Sequence, residues 1–208
     1  MNDLIILGVG VHGTEMAEIV ERVNRAAPTW NLLGFIAPET KAGLVGTQLN
    51  GYPVLGARET IAQHRDAFFI PDNEYGDPLD LPRERLVSLV DPSAFVSRTA
   101  RIGPSCVIYP GCFVGLNATI GERVFMLGNC TVNHDAVLEP QVVLASGVTL
   151  AGFVHVEAGC YLGQSCTIRQ FLRIGQRSLI GMGAVVVKDV PPNSVMAGNP
   201  ARKLRDRT

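Results

Sequence analysis

Residues 94–189 divide into sixteen consecutive hexads without an insertion, beginning AFVSRT, ARIGPS, CVIYPG, CFVGLN and ATIGER. The third position reads Val96, Ile102, Ile108, Val114, Ile120, Met126, Val132, Leu138, Leu144, Leu150, Val156, Leu162, Ile168, Ile174, Ile180 and Val186. An aliphatic column this regular constrains the fold more than any other feature of the chain. One hexad cannot bury its apolar face alone, so the repeat specifies a stack of coils, a solenoid. Side chains alternate along a strand, which turns positions one and three inward together. All the cysteines, Cys106, Cys112, Cys130, Cys160 and Cys166, fall at position one. There they read as small hydrophobes, and their odd number and spacing support neither a disulfide framework nor a zinc knuckle. Glycine recurs at position four, as in Gly103, Gly115, Gly121, Gly163, Gly175 and Gly181, and is expected to supply the corner. Three hexads per coil predict a triangular parallel β-helix about 25 Å long at ~4.8 Å per coil.

The composition agrees with a turn-rich core of small aliphatic residues: 22 glycines, 13 prolines and only 6% aromatics. With 47% hydrophobic residues, 18% charged residues and a formal net charge of −1, the chain is neither a disordered segment nor an electrostatic binder of nucleic acid. The opening Met1-Asn2-Asp3-Leu4 has no basic segment, and no apolar run approaches the ~18 residues that cross a bilayer. A soluble cytoplasmic protein without a membrane partner is expected.

Read every third hexad, the outward second position separates into three faces. One of them, Val107, Phe125, Val143, Tyr161 and Leu179, is wholly apolar. An outward apolar column is expected to be a subunit interface, and a prism that buries one face against a copy closes as a homotrimer; the alternative is a column covered by the N-terminal domain.

Residues 1–88 lack the hexad and form a second domain ahead of the 89–208 repeat domain. Asp3–Leu7 reads as a strand, Thr14–Arg25 as an amphipathic helix and Trp30–Ala37 as a second strand. This is a Rossmann-like α/β opening with G-x-G-x-x-G from Gly8 to Gly13 at the strand-to-helix turn, where backbone N–H groups suit phosphate. The second strand ends Phe35-Ile36-Ala37-Pro38, without the carboxylate a dinucleotide ribose needs, so NAD is not expected.

Among the histidines His12, His64, His134 and His155, His134 stands at a hexad corner beside Asp135, the exposure and acidic neighbour that a general base needs. His155 lies on another face and reads as structural or solvated. A metal site needs three convergent ligands, and the two histidines of the repeat do not supply them; no metal is expected.

The motifs ILGVGVHG, GYPVLG at 51–56, DPSAFVS at 91–97, NHD at 133–135 and IGMGAVVVKDVPPNSVMAGNPARKL at 180–204 together resemble the hexapeptide-repeat sugar acetyltransferases related to sialic-acid O-acetyltransferase and the UDP-4-amino-sugar N-acetyltransferases. The resemblance runs over residues 3–204. It implies a left-handed parallel β-helix and acetyl-CoA as co-substrate. It also implies that His134 is the base made more basic by Asp135, that CoA lies between solenoids at Val143, Gly152, Gln164 and Met182, and that a nucleotide-sugar rests on Gly10, Val11 and His12. Lys188, Arg202 and Lys203 could meet the CoA phosphates. Related chains often have Asp-Asp where Ala37-Pro38 stands here, Asn at Leu127 and a second histidine at Val143. The stretch PDNEYGDPLDLPRER after Ile70 looks shortened. The resulting expectation is N-acetylation of a nucleotide-linked amino sugar in bacterial glycan synthesis. The alternatives are sialic-acid-type O-acetylation and a noncatalytic nucleotide-sugar-binding scaffold.

Overall fold

The computed structural model describes residues 1–75 and 81–207; residues 76–80, inside the stretch read as shortened, lie outside them. The chain forms two compact units, Met1–Asp91 and Pro92–Thr208. The division falls three residues beyond the sequence-based one at 88/89, because Asp91 is fully buried and paired with Arg22 of the first unit, at 2.5 and 3.0 Å.

In the first unit, strand β1 (Asn2–Leu7) leads into helix α1 (Val11–Ala26), which is followed by β2 (Trp30–Ile36), the short β3 (Gln48–Leu49), β4 (Tyr52–Gly56) and β5 (Phe68–Pro71). The sheet order is β3-β4-β2-β1-β5, parallel except for the β3–β4 hairpin. Alternation along β1 divides the core: Ile5 and Leu7 join Ile36, Phe69, Tyr75 and Leu81 in one cluster. Helix α1 buries Met16, Ala17, Ile19 and Val20 at the 3.6-residue spacing of one face.

The second unit is a parallel β-solenoid. Two-residue strands pair at an 18-residue interval, as in Phe95, Phe113, Thr131, Thr149, Thr167 and Val185 on one face and Arg101, Thr119, Val137, His155 and Arg173 on the next. The third face carries Val107, Phe125, Val143, Tyr161 and Leu179. It is extended by Ser194–Ala197 in parallel and then Arg202–Asp206 antiparallel. Third-position side chains from Ile108 to Val186 are buried, whereas Val96 and Ile102 in the first coil are half-buried. Each fully buried aliphatic contributes about 1.5–3 kcal/mol. The five cysteines form no disulfide and are buried; burial pushes Cys160 up to about 11 and Cys166 up to about 12, as befits packing groups.

The corner chemistry differs from expectation. Positive φ belongs to position six, in every hexad from Ser105 to Gly183, and the position-four glycines do not adopt it. Their constraint is stacking: a Cβ on Gly103, Gly115 or Gly121 would stand 2.8 Å from the backbone of the next coil, and on Gly163 2.7 Å from the Met182 nitrogen. Coils at β-sheet spacing leave no room there for a side chain.

The apolar face also needs correction. Val107 and Phe125 are already buried within the single chain, at 0% and 2% exposure, with Phe125 against the Tyr109 ring. A side chain already removed from water gains nothing from a second subunit. Only Val143, Tyr161 and Leu179 remain partly accessible for an interface.

Candidate active site

His134 sits at the corner that follows the Thr131–Val132 strand, its side chain 54% exposed. Its Nδ1 hydrogen-bonds Asp135 Oδ2 at 2.9 Å, and Asp135 Oδ1 accepts from Asn117 Nδ2 at 3.1 Å. The His134 bond, and then the Asn117 bond, hold the Asp135 carboxyl below the usual carboxylate range. Asp135 remains ionised at neutral pH and orients the ring, so the tautomer with hydrogen on Nδ1 leaves the Nε2 lone pair available to a substrate proton.

Gly152 lies one coil on, beneath the ring: a Cβ there would stand 2.6 Å from His134 Cε1 and 2.7 Å from Nε2. Asn117 was not read from the sequence as a functional residue. Its signal was the coil period, because position six of one coil stacks on position six of the next, 18 residues away.

Of the other residues singled out, Gln164 and Met182 stack at a different corner, where the Gly183 N–H donates to the Gln164 carbonyl, and Met182 is 76% exposed. Val143 lies on the face between Phe125 and Tyr161. A single solenoid therefore brings His134, Asp135 and Gly152 together and keeps Val143, Gln164 and Met182 apart from them. Lys188, Arg202 and Lys203 are exposed. Leu127 donates its N–H to the Leu144 carbonyl, a place in the coil ladder. His155 is held by Glu139 at 2.7 Å and faces Arg173 at 3.3 Å, a saturated surface network.

In the first unit, Gly10 caps α1 without a side-chain bond, Val11 is 73% exposed, and His12 Nδ1 lies 3.4 Å from Glu15. The nearly buried Asp72 fills the turn, its Oδ2 2.0 Å from where a Gly8 Cβ would be. Burial raises the Asp72 carboxyl above the usual range. Ala37 is buried at the end of the second strand and Pro38 opens the 3-10 segment Glu39–Leu44.

The fold places these features among known proteins. GDP-perosamine N-acetyltransferase from Caulobacter crescentus, solved as a variant with CoA and GDP-perosamine, superposes with a TM-score of 0.84 over 99% of this chain and 98% of that one, at 23% identity. The acetyltransferase domain of PglB from Neisseria gonorrhoeae FA1090 superposes at 0.85, with 25% identity, over 98% of this chain and all of that domain. WeeI from Acinetobacter baumannii AYE gives 0.83 and 27% over 98% and 100%. The chain resembles the hexapeptide-repeat sugar acetyltransferases, and its solenoid matches a left-handed β-helix. Among curated sequences, the galactoside O-acetyltransferase of Escherichia coli K12 is 44% identical over 46 residues, 22% of this chain and 23% of that protein. A Schizosaccharomyces pombe protein named as an acetyltransferase is 36% identical over 52 residues, a quarter of each chain. The match spans about a quarter of the length of these curated relatives. No protein-family profile matches. Among the described residues no helix is long and apolar enough to cross a membrane.

Proposed function

We propose that this chain is an acetyl-CoA-dependent acetyltransferase that N-acetylates a nucleotide-linked amino sugar in bacterial glycan synthesis. The observation that carries the reading is the Asn117–Asp135–His134 relay at an exposed solenoid corner. Its likeness to the PglB acetyltransferase domain, which has been solved with acetyl coenzyme A, supports acetyl-CoA as the donor. In the proposed reaction the neutral amine attacks the thioester carbonyl while His134 Nε2 takes the amine proton. The tetrahedral intermediate expels CoA by cleaving the C–S bond, and the imidazolium returns the proton to the leaving thiolate. Proximity supplies much of the acceleration, and no covalent enzyme intermediate is involved.

The separation of His134 and Gly152 from Gln164 and Met182 on different corners favours a CoA groove between adjacent subunits of a homotrimer, each subunit giving one wall. In this reading residues 1–88 are a Rossmann-like unit that holds the nucleotide-sugar at Gly10, Val11 and His12, in a cytoplasmic enzyme. Transfer to oxygen is the second reading, favoured by the match to galactoside O-acetyltransferase.

The test is thiol release from acetyl-CoA across UDP- and GDP-amino sugars and free sialic acid. Turnover with an amino sugar that falls about 10²- to 10⁴-fold in His134→Ala is expected. Turnover unchanged in that variant would remove His134 from the mechanism, and turnover with sialic acid alone would assign the oxygen-acylating reading.

A further inference from the structure

Position six of the hexad has left-handed backbone from Ser105 to Gly183, and glycine, asparagine, aspartate, serine or a longer polar residue fills it at most coils. Phe153 and Phe171 break that pattern in adjacent coils. They hold aromatic rings at φ 59° and 62°, where bulky L residues are rare, and they are 47% and 65% exposed. A phenylalanine left about half or more exposed in a left-handed backbone forgoes much of the gain from burial, and such strain is tolerated chiefly where it serves a site.

What the rings touch identifies that site. They stack on each other with centroids 5.0 Å apart and planes 20° from parallel, and Phe153 meets the His134 imidazole nearly perpendicularly, at 5.2 Å and 88°. The Phe153 N–H also donates to the His134 carbonyl at 3.1 Å. His134 is otherwise a half-exposed corner side chain whose hydrogen bond among the described residues is the one from Nδ1 to Asp135. The Asp135 bond holds only the Nδ1 edge of a half-exposed ring, and an aromatic wall beside the imidazole restricts the motion that remains about that edge.

We propose that Phe153, braced by Phe171, is a positioning residue that fixes the His134 ring so that Nε2 faces the reacting amine. The proposal rests on His134 being the base. Proton transfer needs a heavy-atom approach of roughly 2.6–3.2 Å, and a misplacement of about 1 Å can cost up to ~10²-fold. Phe153 acts through His134, so its loss lowers kcat and leaves KM for both substrates in place.

The experiment compares Phe153→Gly, Phe153→Tyr and wild type in kcat, KM, thermal unfolding, oligomeric mass and the NMR signals of His134, assigned by difference against His134→Gln. Glycine suits the left-handed backbone, so the variant is expected to unfold no earlier than wild type. Its kcat should fall about tenfold at unchanged KM, and the His134 ring signals should lose their ring-current shift and broaden. Tyrosine, which keeps the ring, should retain kcat. Unchanged kcat, or a kcat loss accompanied by earlier unfolding or by loss of the oligomer, overturns the proposal by making the stack inert, structural or interfacial. If wild type transfers acetyl to no acceptor, or if transfer survives in His134→Ala, the catalytic reading fails separately. The NMR comparison then decides by itself whether Phe153 holds the ring.

Discussion

At the scale of single residues, the chemistry is set by what each side chain is denied. Gly152 is denied a Cβ because the His134 ring occupies that volume, and the bonds from His134 and then Asn117 hold the Asp135 carboxyl below the usual carboxylate range. Asp72 is the opposite case, a carboxyl whose burial favours the neutral form. Its folded pKa lies above its unfolded one, so its contribution to stability is fully present below about pH 3.9 and is lost as pH rises through the raised folded value. Asp72→Asn, neutral throughout, is expected to match wild type near pH 3 and to unfold at higher urea near pH 7; urea titrations at both pH values would show it, and equal midpoints at pH 7 would refute it. The relay itself was half legible in the sequence. His134 and Asp135 are adjacent in the chain, whereas Asn117 reaches Asp135 only because one coil separates them.

At the scale of the element, one hexad does three separate jobs. Positions one and three fill the core, position six takes the left-handed turn, and position four must be empty where coils stack closely. The sequence showed glycine at position four but not its reason, because a tight turn and a close backbone approach select the same residue. A substitution separates the two. Gly163→Ala, whose Cβ would stand 2.7 Å from the Met182 backbone nitrogen although the φ there is ordinary, is expected to cost about 1–3 kcal/mol through overpacking. Chemical unfolding would measure it, and a neutral effect would mean that the coils can spread.

At the scale of the whole molecule, the question is what the outward apolar column does. With Phe125 buried and Tyr161 39% exposed, the two ends of that column should respond differently to charge. Tyr161→Glu is expected to give a folded protein of lower mass by sedimentation and to lose acetyl transfer, because the proposed CoA groove needs two subunits. Phe125→Glu places a charge inside the chain and is expected to lower the unfolding temperature instead. An unchanged mass in Tyr161→Glu would move the interface to another face. The sequence by itself determined the solenoid, its register, its inward columns and the histidine at its corner, because a period of six repeated without a slip permits one stacking of side chains. Only the tertiary structure decided which outward residues stay wet, why glycine stands at position four, and that Asn117, Gly152 and Phe153 surround His134. Those facts depend on neighbours a full coil away, and contact across a coil is a property of the stacked chain.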